Sequence, residues 1–309
     1  MPMTFACNCL VVLGPTASGK TALACDIAYK LDGEVISADS RQVYRKLDIG
    51  TGKDFGSYLV NGKKIRYHLI DIADAGTQFY LHEFAAGLER AFSDITSRKK
   101  LPVICGGTGL YLDALQRRFD LTEVPENPEL RLSLEALDKR ELLARLLRYP
   151  AKNVAHVDQT SVKRIIRGIE VAEFLSGKKL VDAPPVPYRP FYIGIDPGRD
   201  RLLSGIRQRL ETRLEHGMIE EVKRLLEEGL PEDRLIGLGL EYRFITMHLL
   251  GKITYEEMTE QLFTAIRQFA KRQMTWFRRM EKQGIKIHWL REPVADEGLL
   301  NLIRAKLGQ

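Results

Sequence analysis

The spacing of apolar and polar positions changes several times along the chain, and the changes place its elements. "CLVVLG" (9–14) is a continuous apolar run of strand length, rich in β-branched residues. "KTALACDIAYKL" then repeats apolar residues at Leu23, Ile27 and Leu31, the period of a helix. "EVISADS" predicts a short strand ending at Asp39, and "YHLIDI" (67–72) another. "YLHEFAAGLERAFSDI" predicts a helix, and "LPVICGGTGLYLDAL" a strand, a Gly-Gly-Thr-Gly turn and a helix. Asn61-Gly62 marks a local hairpin. Strand–helix alternation over the first 115 residues predicts an α/β fold, a parallel sheet with helices on both faces. Ligands of such sheets bind beyond the carboxyl ends of the strands. Asp39, Gly106 to Thr108 and a glycine-rich loop at 14–21 all fall there.

Beyond Gln116 the pattern becomes helical without a clear strand, through "PELRLSLEALDKRELLARLL" and "SVKRIIRGIEVAEFLSGKK", up to the Pro-rich connector "DAPPVPYRP". "FYIGID" returns to a strand, helices follow, and "IKIHWL" is a late strand-like piece. The expected organisation is an α/β core at 1–115 and 189–309, the latter carrying the C-terminal helices, with an all-helical subdomain inserted at 116–188. In the last long helical stretch Met258, Leu262, Ile266 and Phe269 form the inward stripe, while Arg267, Lys271 and Arg278 share another face. Val162, Ile165, Ile166, Ile169 and Ala172 form the stripe of the inserted helix, with Lys163, Arg164 and Arg167 pointing elsewhere.

The loop "GPTASGKT" supplies candidate chemistry. Gly14, Pro15, Thr16, Ala17 and Ser18 lead into Gly19-Lys20-Thr21, the Walker A (P-loop) spacing, between a strand and a helix as that pattern requires. Backbone N–H groups at a helix N-terminus face an anion, Gly19 permits close approach, Lys20 adds a point charge and the Thr21 hydroxyl is a candidate Mg²⁺ ligand. Such a loop holds phosphates; nucleotide binding, ATP included, is one use of it, and the residues leave that use open.

Composition adds bounds. The 309 residues carry 47 Lys plus Arg against 41 Asp plus Glu, a formal charge of +6. Alone this is weak evidence for a polyanionic partner. Clustering is more telling: between Gln261 and Lys282 lie Arg267, Lys271, Arg272, Arg278, Arg279 and Lys282 with one acid, Glu281. Two basic helix faces in one chain suit a surface that tracks RNA phosphates. No apolar run reaches membrane-spanning length, and the N-terminus lacks the basic start and cleavage site of a signal peptide, so a cytoplasmic protein is expected. The four cysteines, Cys7, Cys9, Cys25 and Cys105, form no CxxC pair; zinc and disulfides are not expected. No sustained heptad appears, which favours a monomer.

"GPTASGKTALA", "ISADSRQVYRKLDIGTGK", "HLIDI", "GGTGLYLDAL" and "AKRQMTWFRR" follow one another in the order and at roughly the separations of the bacterial tRNA dimethylallyltransferases. The resemblance runs from about Leu10 to Leu290. It implies transfer of a dimethylallyl group from dimethylallyl diphosphate to the N6 amine of the adenosine 3′-adjacent to the anticodon in tRNA, releasing diphosphate. By the same resemblance the loop from Gly14 to Thr21 grips the diphosphate with Mg²⁺ on Thr21, Arg209 stabilises the leaving group, Asp39 is the general base and Thr108 contacts the reaction centre. It carries tRNA contacts onto Asp39, Ser40, Arg41 and Gln42, onto Arg131, and onto Lys163, Arg164 and Arg167 of the inserted subdomain, which would clasp the anticodon stem-loop. Further contacts map onto the segment from Leu238 to Arg243, with Tyr242 and Arg243, and onto Lys271, Arg272, Gln273, Trp276 and Arg278.

The chain departs from the family text in two places. "GLEYRF" sets Leu240 and Glu241 between Gly239 and Tyr242, and "KDFGSYLVNGKKIRYH" replaces the usual Pro and paired-His segment. Two other classes compete. A P-loop small-molecule kinase or NTPase would use Asp39 or Asp71 to hold Mg²⁺, but does not require "GGTGLY" with "KRQMTWFR". A nucleic-acid-binding protein without chemistry would not place Asp39 beside a phosphate loop, where it repels phosphate.

Overall fold

A computed structural model describes residues 6–116, 124–154, 157–176 and 185–308. The chain divides into two compact units, Met1–Arg117 with Val186–Gln309, and Arg118–Pro185.

The first unit is built on β1 (Cys9–Leu13), β2 (Gly33–Ser37), β5 (Tyr67–His68), β6 (Leu101–Gly106), β7 (Pro190–Ile195) and β8 (Ile287–Leu290), all parallel, in the order β5-β2-β6-β1-β7-β8. β3 (Leu59–Val60) and β4 (Lys63–Lys64) form a separate antiparallel hairpin. Its turn is Asn61-Gly62 with φ of 49° and 77°, the two positive values that a two-residue hairpin of this twist needs. The chain leaves β1 toward β2 through α1 (Lys20–Lys30), and returns from β5 to β6 through α2 (Leu81–Ser97). The two crossovers run in opposite directions, so right-handed connections set their helices on opposite faces. Leu10, Val12, Val103, Ile193 and Ile195 pack with Leu23 and Ile27 of α1 and with Leu299, Leu300 and Ile303 of α13 (Glu297–Leu307). Val11, Ile36 and Ile104, buried and pointing the other way, face the side where α2 lies on β2 and β6.

Beyond β7 come α8 (Arg199–Glu215), α9 (Met218–Glu227), α10 (Glu232–Leu238), α11 (Leu240–Leu249) and the long α12 (Tyr255–Lys282). Ile206, Leu210, Val222, Leu235, Ile245, Leu262 and Ile266 make their common core. Phe269 corrects the expected inward stripe. It is 38% exposed, because at that level α12 borders a cavity.

"YHLIDI" is strand only over Tyr67–His68. Leu69 and Asp71 have φ of 62° and 58°, left-handed values that end the ladder, and the Asp71 N–H donates to the Gln42 carbonyl at 3.1 Å.

The second unit is helical: α4 (Pro128–Glu135), α5 (Lys139–Leu146), α6 (Ala151–Val154) and α7 (Val162–Phe174). The long run after Pro128 is two helices. Asp138 caps the second, accepting the Glu141 N–H at 2.8 Å while Glu141 accepts the Asp138 N–H at 2.9 Å. Leu134, Leu142, Leu146, Ile165, Ile169 and Ala172 form its core, whereas Val162 of the expected stripe is exposed. Residues 177–179 of the expected helix and 182–184 of the connector lie outside the described residues. Among the described residues no helix is long and apolar enough to cross a membrane.

Candidate active site

A cavity of about 650 Å³ opens beyond the carboxyl ends of β1, β2 and β6. The phosphate loop forms one wall from Thr16 to Thr21. Ala17 and Gly19 both take positive φ, 59° and 81°, which turns the loop's N–H groups inward ahead of α1. The Ser18 hydroxyl is buried without a hydrogen-bond partner. Lys20 Nζ donates to the Pro15 carbonyl at 3.2 Å. Burial lowers the Lys20 pKa, and Arg209 pushes the same way against Cys105, Asp39 and Asp54. An anion entering the loop reverses that penalty, because it supplies the missing counter-charge. Gly14 and Pro15 lie behind the loop and do not line the cavity.

Asp39, two residues past β2, faces the cavity, and its Oδ1 accepts the Arg41 N–H at 2.9 Å. One oxygen thus fixes the turn that aims the carboxylate. Thr108 Oγ1 accepts the Ser40 N–H at 3.1 Å, tying the Gly-Gly-Thr-Gly turn to the Asp39 turn. The Trp276 ring lies on Gly109, where a Cβ would come within 2.4 Å of it. Trp276 Nε1 donates to Asp113 Oδ1 at 3.3 Å, and the Arg279 guanidinium stacks 3.9 Å from the ring centroid.

Arg209 reaches the loop from α8: Nη1 donates to Thr16 Oγ1 at 3.3 Å and Nη2 to Asp54 Oδ2 at 3.0 Å. Burial lowers its pKa, assisted by Arg213. Arg213, one turn further along α8, shares the Asp54 carboxylate at 3.5 Å, and its Nη2 is buried without a hydrogen-bond partner. Both guanidiniums rest on Gly52 (φ 67°), where a Cβ would stand 2.1 Å and 1.7 Å from their Nη2 atoms. Arg213, Gly52 and Asp54 belong to the cavity and were not anticipated; Glu241, inside the expected contact segment from Leu238 to Arg243, lines it too. The four-residue repeat of arginines in α8 is the one sequence signal that points to Arg213; nothing local marks the other two. Cys105 also lines the cavity, and burial pushes its thiol up to about 11. Lys20, Arg41, Arg209, Arg213, Arg243 and Arg272 line it against Asp39, Asp54 and Glu241, so it is net positive. Burial holds the Glu241 carboxyl above its ordinary value, with Arg213 and Arg209 opposing.

Three expected RNA contacts are placed differently. Tyr242 is 1% exposed and its hydroxyl donates to Glu221 Oε1 at 2.7 Å, so the side chain has no surface to offer. Glu221 also accepts the N–H groups of Asp48, Ile49 and Gly50, pinning the loop that carries Gly52 and Asp54. Gln42 accepts from Ser37 Oγ at 2.8 Å and donates to the Gly52 carbonyl at 2.9 Å; both ends of its amide are used in the cavity wall. Gln273 likewise binds the Thr16 N–H and the Gly107 carbonyl. Ser40, Arg41, Arg243, Arg272 and Trp276 do line the cavity. Lys271 and Arg278 lie on the opposite side of α12, in a second groove.

In the helical unit Arg131 pairs with Glu126 at 2.9 Å and Glu170 at 2.8 Å, Arg167 with Glu170 at 3.4 Å, and Arg164 with Asp158. Of the cations expected there, Lys163 alone has no partner among the described residues. Among the described residues no group of three or more His, Cys, Asp or Glu side chains could hold a metal.

Comparison with known proteins identifies the family. The sequence matches the IPP transferase family over residues 42–280 and the isopentenyl transferase family over residues 7–73. It is 46% identical over 301 residues to a protein of Phocaeicola vulgatus named tRNA dimethylallyltransferase 2, covering 96% of this chain and 98% of that one. A tRNA dimethylallyltransferase 2 of Syntrophotalea carbinolica is 47% identical, over 92% and 94% of the two chains. The full-length tRNA isopentenylpyrophosphate transferase of Bacillus halodurans superposes with a TM-score of 0.70 at 31% identity, over 97% of each chain. With matches of this extent along nearly its whole length, the chain belongs to the IPP transferase family.

Proposed function

We propose that this protein transfers a dimethylallyl group from dimethylallyl diphosphate to the N6 amine of the adenosine 3′-adjacent to the anticodon in tRNA. The observation that carries the reading is the meeting of the phosphate loop, Arg209 and the Asp39 carboxylate in one cavity. The loop's N–H groups, Lys20 and Arg209 hold the diphosphate and stabilise the charge that grows on its oxygens as the allylic C–O bond breaks. The amine nitrogen forms the new bond to that carbon, and Asp39 takes the amine proton as it becomes acidic. Thr108 holds the Ser40 turn beside Asp39 and faces the reacting atoms.

The residues present also fit a divalent cation carried largely by the diphosphate: Thr21, with its hydroxyl, is among the loop residues that line the cavity. Mg²⁺ bound there would neutralise part of the leaving-group charge. The kinase reading loses one of its two candidate carboxylates, because Asp71 is paired with the buried Lys53.

The target base must leave its stack to enter the cavity. Arg41, Arg243 and Arg272 line it to receive the RNA, and the helical unit, through Lys163 and its neighbouring arginines, clasps the anticodon stem-loop. The protein acts in the cytoplasm as a monomer. Incubation with unmodified tRNA, labelled dimethylallyl diphosphate and Mg²⁺, followed by digestion, tests the reading. Label on adenosine is expected; ATP hydrolysis without label would return the loop to a nucleotide.

A further inference from the structure

The short helical turn Phe55–Tyr58, just before β3, supplied none of the expected site residues, yet its last residue lines the cavity. Tyr58 is only 3% exposed, and its hydroxyl has no hydrogen-bond partner among the described residues. A buried tyrosine ordinarily finds a partner for its O–H. Backbone and ring are both held in place. The Ile65 N–H donates to the Tyr58 carbonyl at 2.7 Å, and the Tyr67 ring meets the Tyr58 ring edge-on, 4.9 Å between centroids. The side chain belongs to the core that holds Leu23 and Cys25 of α1. Burial pushes the hydroxyl well above the ordinary tyrosine value, so it stays protonated and offers a donor. That donor has no acceptor from the protein, and the cavity is where one can enter.

Tyr58 belongs to the Thr21 end of the phosphate loop. Cys105 interacts with both Tyr58 and Thr21, and Cys25, also beside Tyr58, is one turn beyond Thr21 on α1. An anion held by the first N–H groups of α1 sits at that end. The same segment serves the other end of the loop. Asp54, four residues before Tyr58, accepts from Arg209, which also donates to Thr16 Oγ1. A neutral O–H adds a hydrogen bond to such an anion without adding charge, and bonds to ionised acceptors are the strong ones. We propose that Tyr58 is a further binding residue of the transfer reaction, its hydroxyl donating to an oxygen of the diphosphate at the Thr21 end of the loop. The inference rests on the function proposed above.

The test uses the full chain and its Tyr58→Phe variant, which loses the oxygen and keeps the ring. Inorganic pyrophosphate with Mg²⁺ is titrated into each by calorimetry, and steady-state transfer is measured beside it. The variant is expected to melt as the wild type does, because the hydroxyl has no partner in the protein. Its affinity for pyrophosphate is expected to fall about tenfold, the scale of one hydrogen bond to a charged group. Its KM for dimethylallyl diphosphate is expected to rise by the same factor, with tRNA affinity unchanged. Pyrophosphate affinity equal to that of the wild type overturns the assignment, and a raised KM in that case would put the ring against the allyl tail instead. A variant that unfolds overturns it too, since the hydroxyl would then serve the fold. Transfer of label to tRNA by the wild type separates this outcome from the function. Without transfer the function fails, even where Tyr58→Phe weakens pyrophosphate binding; transfer with unchanged pyrophosphate affinity removes Tyr58 alone.

Discussion

Gln273, on the long helix α12, accepts the Thr16 N–H at 2.8 Å through its side-chain oxygen, across 257 residues of sequence. Its Nε2 donates to the Gly107 carbonyl at 3.0 Å. One amide thus clamps the phosphate loop to the Gly-Gly-Thr-Gly turn. Gln273→Ala leaves both backbone groups without that partner, at about 1–3 kcal/mol for each that stays dry. The KM for dimethylallyl diphosphate is expected to rise about tenfold while tRNA affinity holds. Steady-state kinetics paired with tRNA titration measures this; an effect on tRNA affinity alone would make Gln273 an RNA contact.

Asp39 opens on the cavity that the phosphate loop lines. Asp39→Ala is expected to lower turnover roughly a hundredfold or more with tRNA affinity near wild type. Single-turnover transfer shows it directly. An unchanged rate removes Asp39 from the mechanism.

Gly52 supports both cavity arginines. A methyl group there would stand 1.7 Å from Arg213 Nη2 and 2.1 Å from Arg209 Nη2, and the φ of 67° strains any side chain. Gly52→Ala is expected to displace the guanidiniums and cut transfer at least about tenfold, since misplaced groups lose their effect on the transition state. Wild-type transfer by a folded Gly52→Ala protein would mean that the arginine positions are not needed.

Lys271 has no ion-pair partner among the described residues and stands at the second groove. Lys271→Glu is expected to weaken tRNA binding across sequences and to reduce the slope of log K against log salt by about one. A slope that does not move would leave this face as solvated surface.

Stability should depend on acid through Glu34, a buried residue of β2 hydrogen-bonded by Arg98 and His68. Burial by itself raises this carboxyl, but the bonds from Arg98 and His68 outweigh it and hold the group below its ordinary 4.5. A depressed carboxylate contributes stability above its unfolded value, and that contribution is lost as pH falls through the folded one. Arg98→Ala is expected to lower stability above about pH 4.5 and to flatten its fall in acid, the two proteins converging at the lowest pH. Thermal melts over pH 3–7 give the comparison; parallel curves would show that Glu34 is not the group lost.

The chain by itself determined the sheet, the loop and the order of the motifs. Periodicity is a local signal, so β1, α1, β6 and α12 were legible from their own residues, as was the Asn61-Gly62 turn, whose dipeptide carries its own backbone preference. Local signals failed where long-range contacts decide. The strand over Tyr67 to Ile72 stops early because the chain turns at Leu69 and Asp71, and Asp71 meets Gln42 and Lys53. Tyr242 reads as a surface motif residue, and only the fold brings Glu221 to its hydroxyl and closes the core over it. The tertiary structure alone set Asp54 and Gly52 under two arginines of α8, and it alone gave α12 a cavity on one flank and a charged groove on the other. Charge and burial depend on neighbours distant in sequence, and a single chain read in order does not list its neighbours.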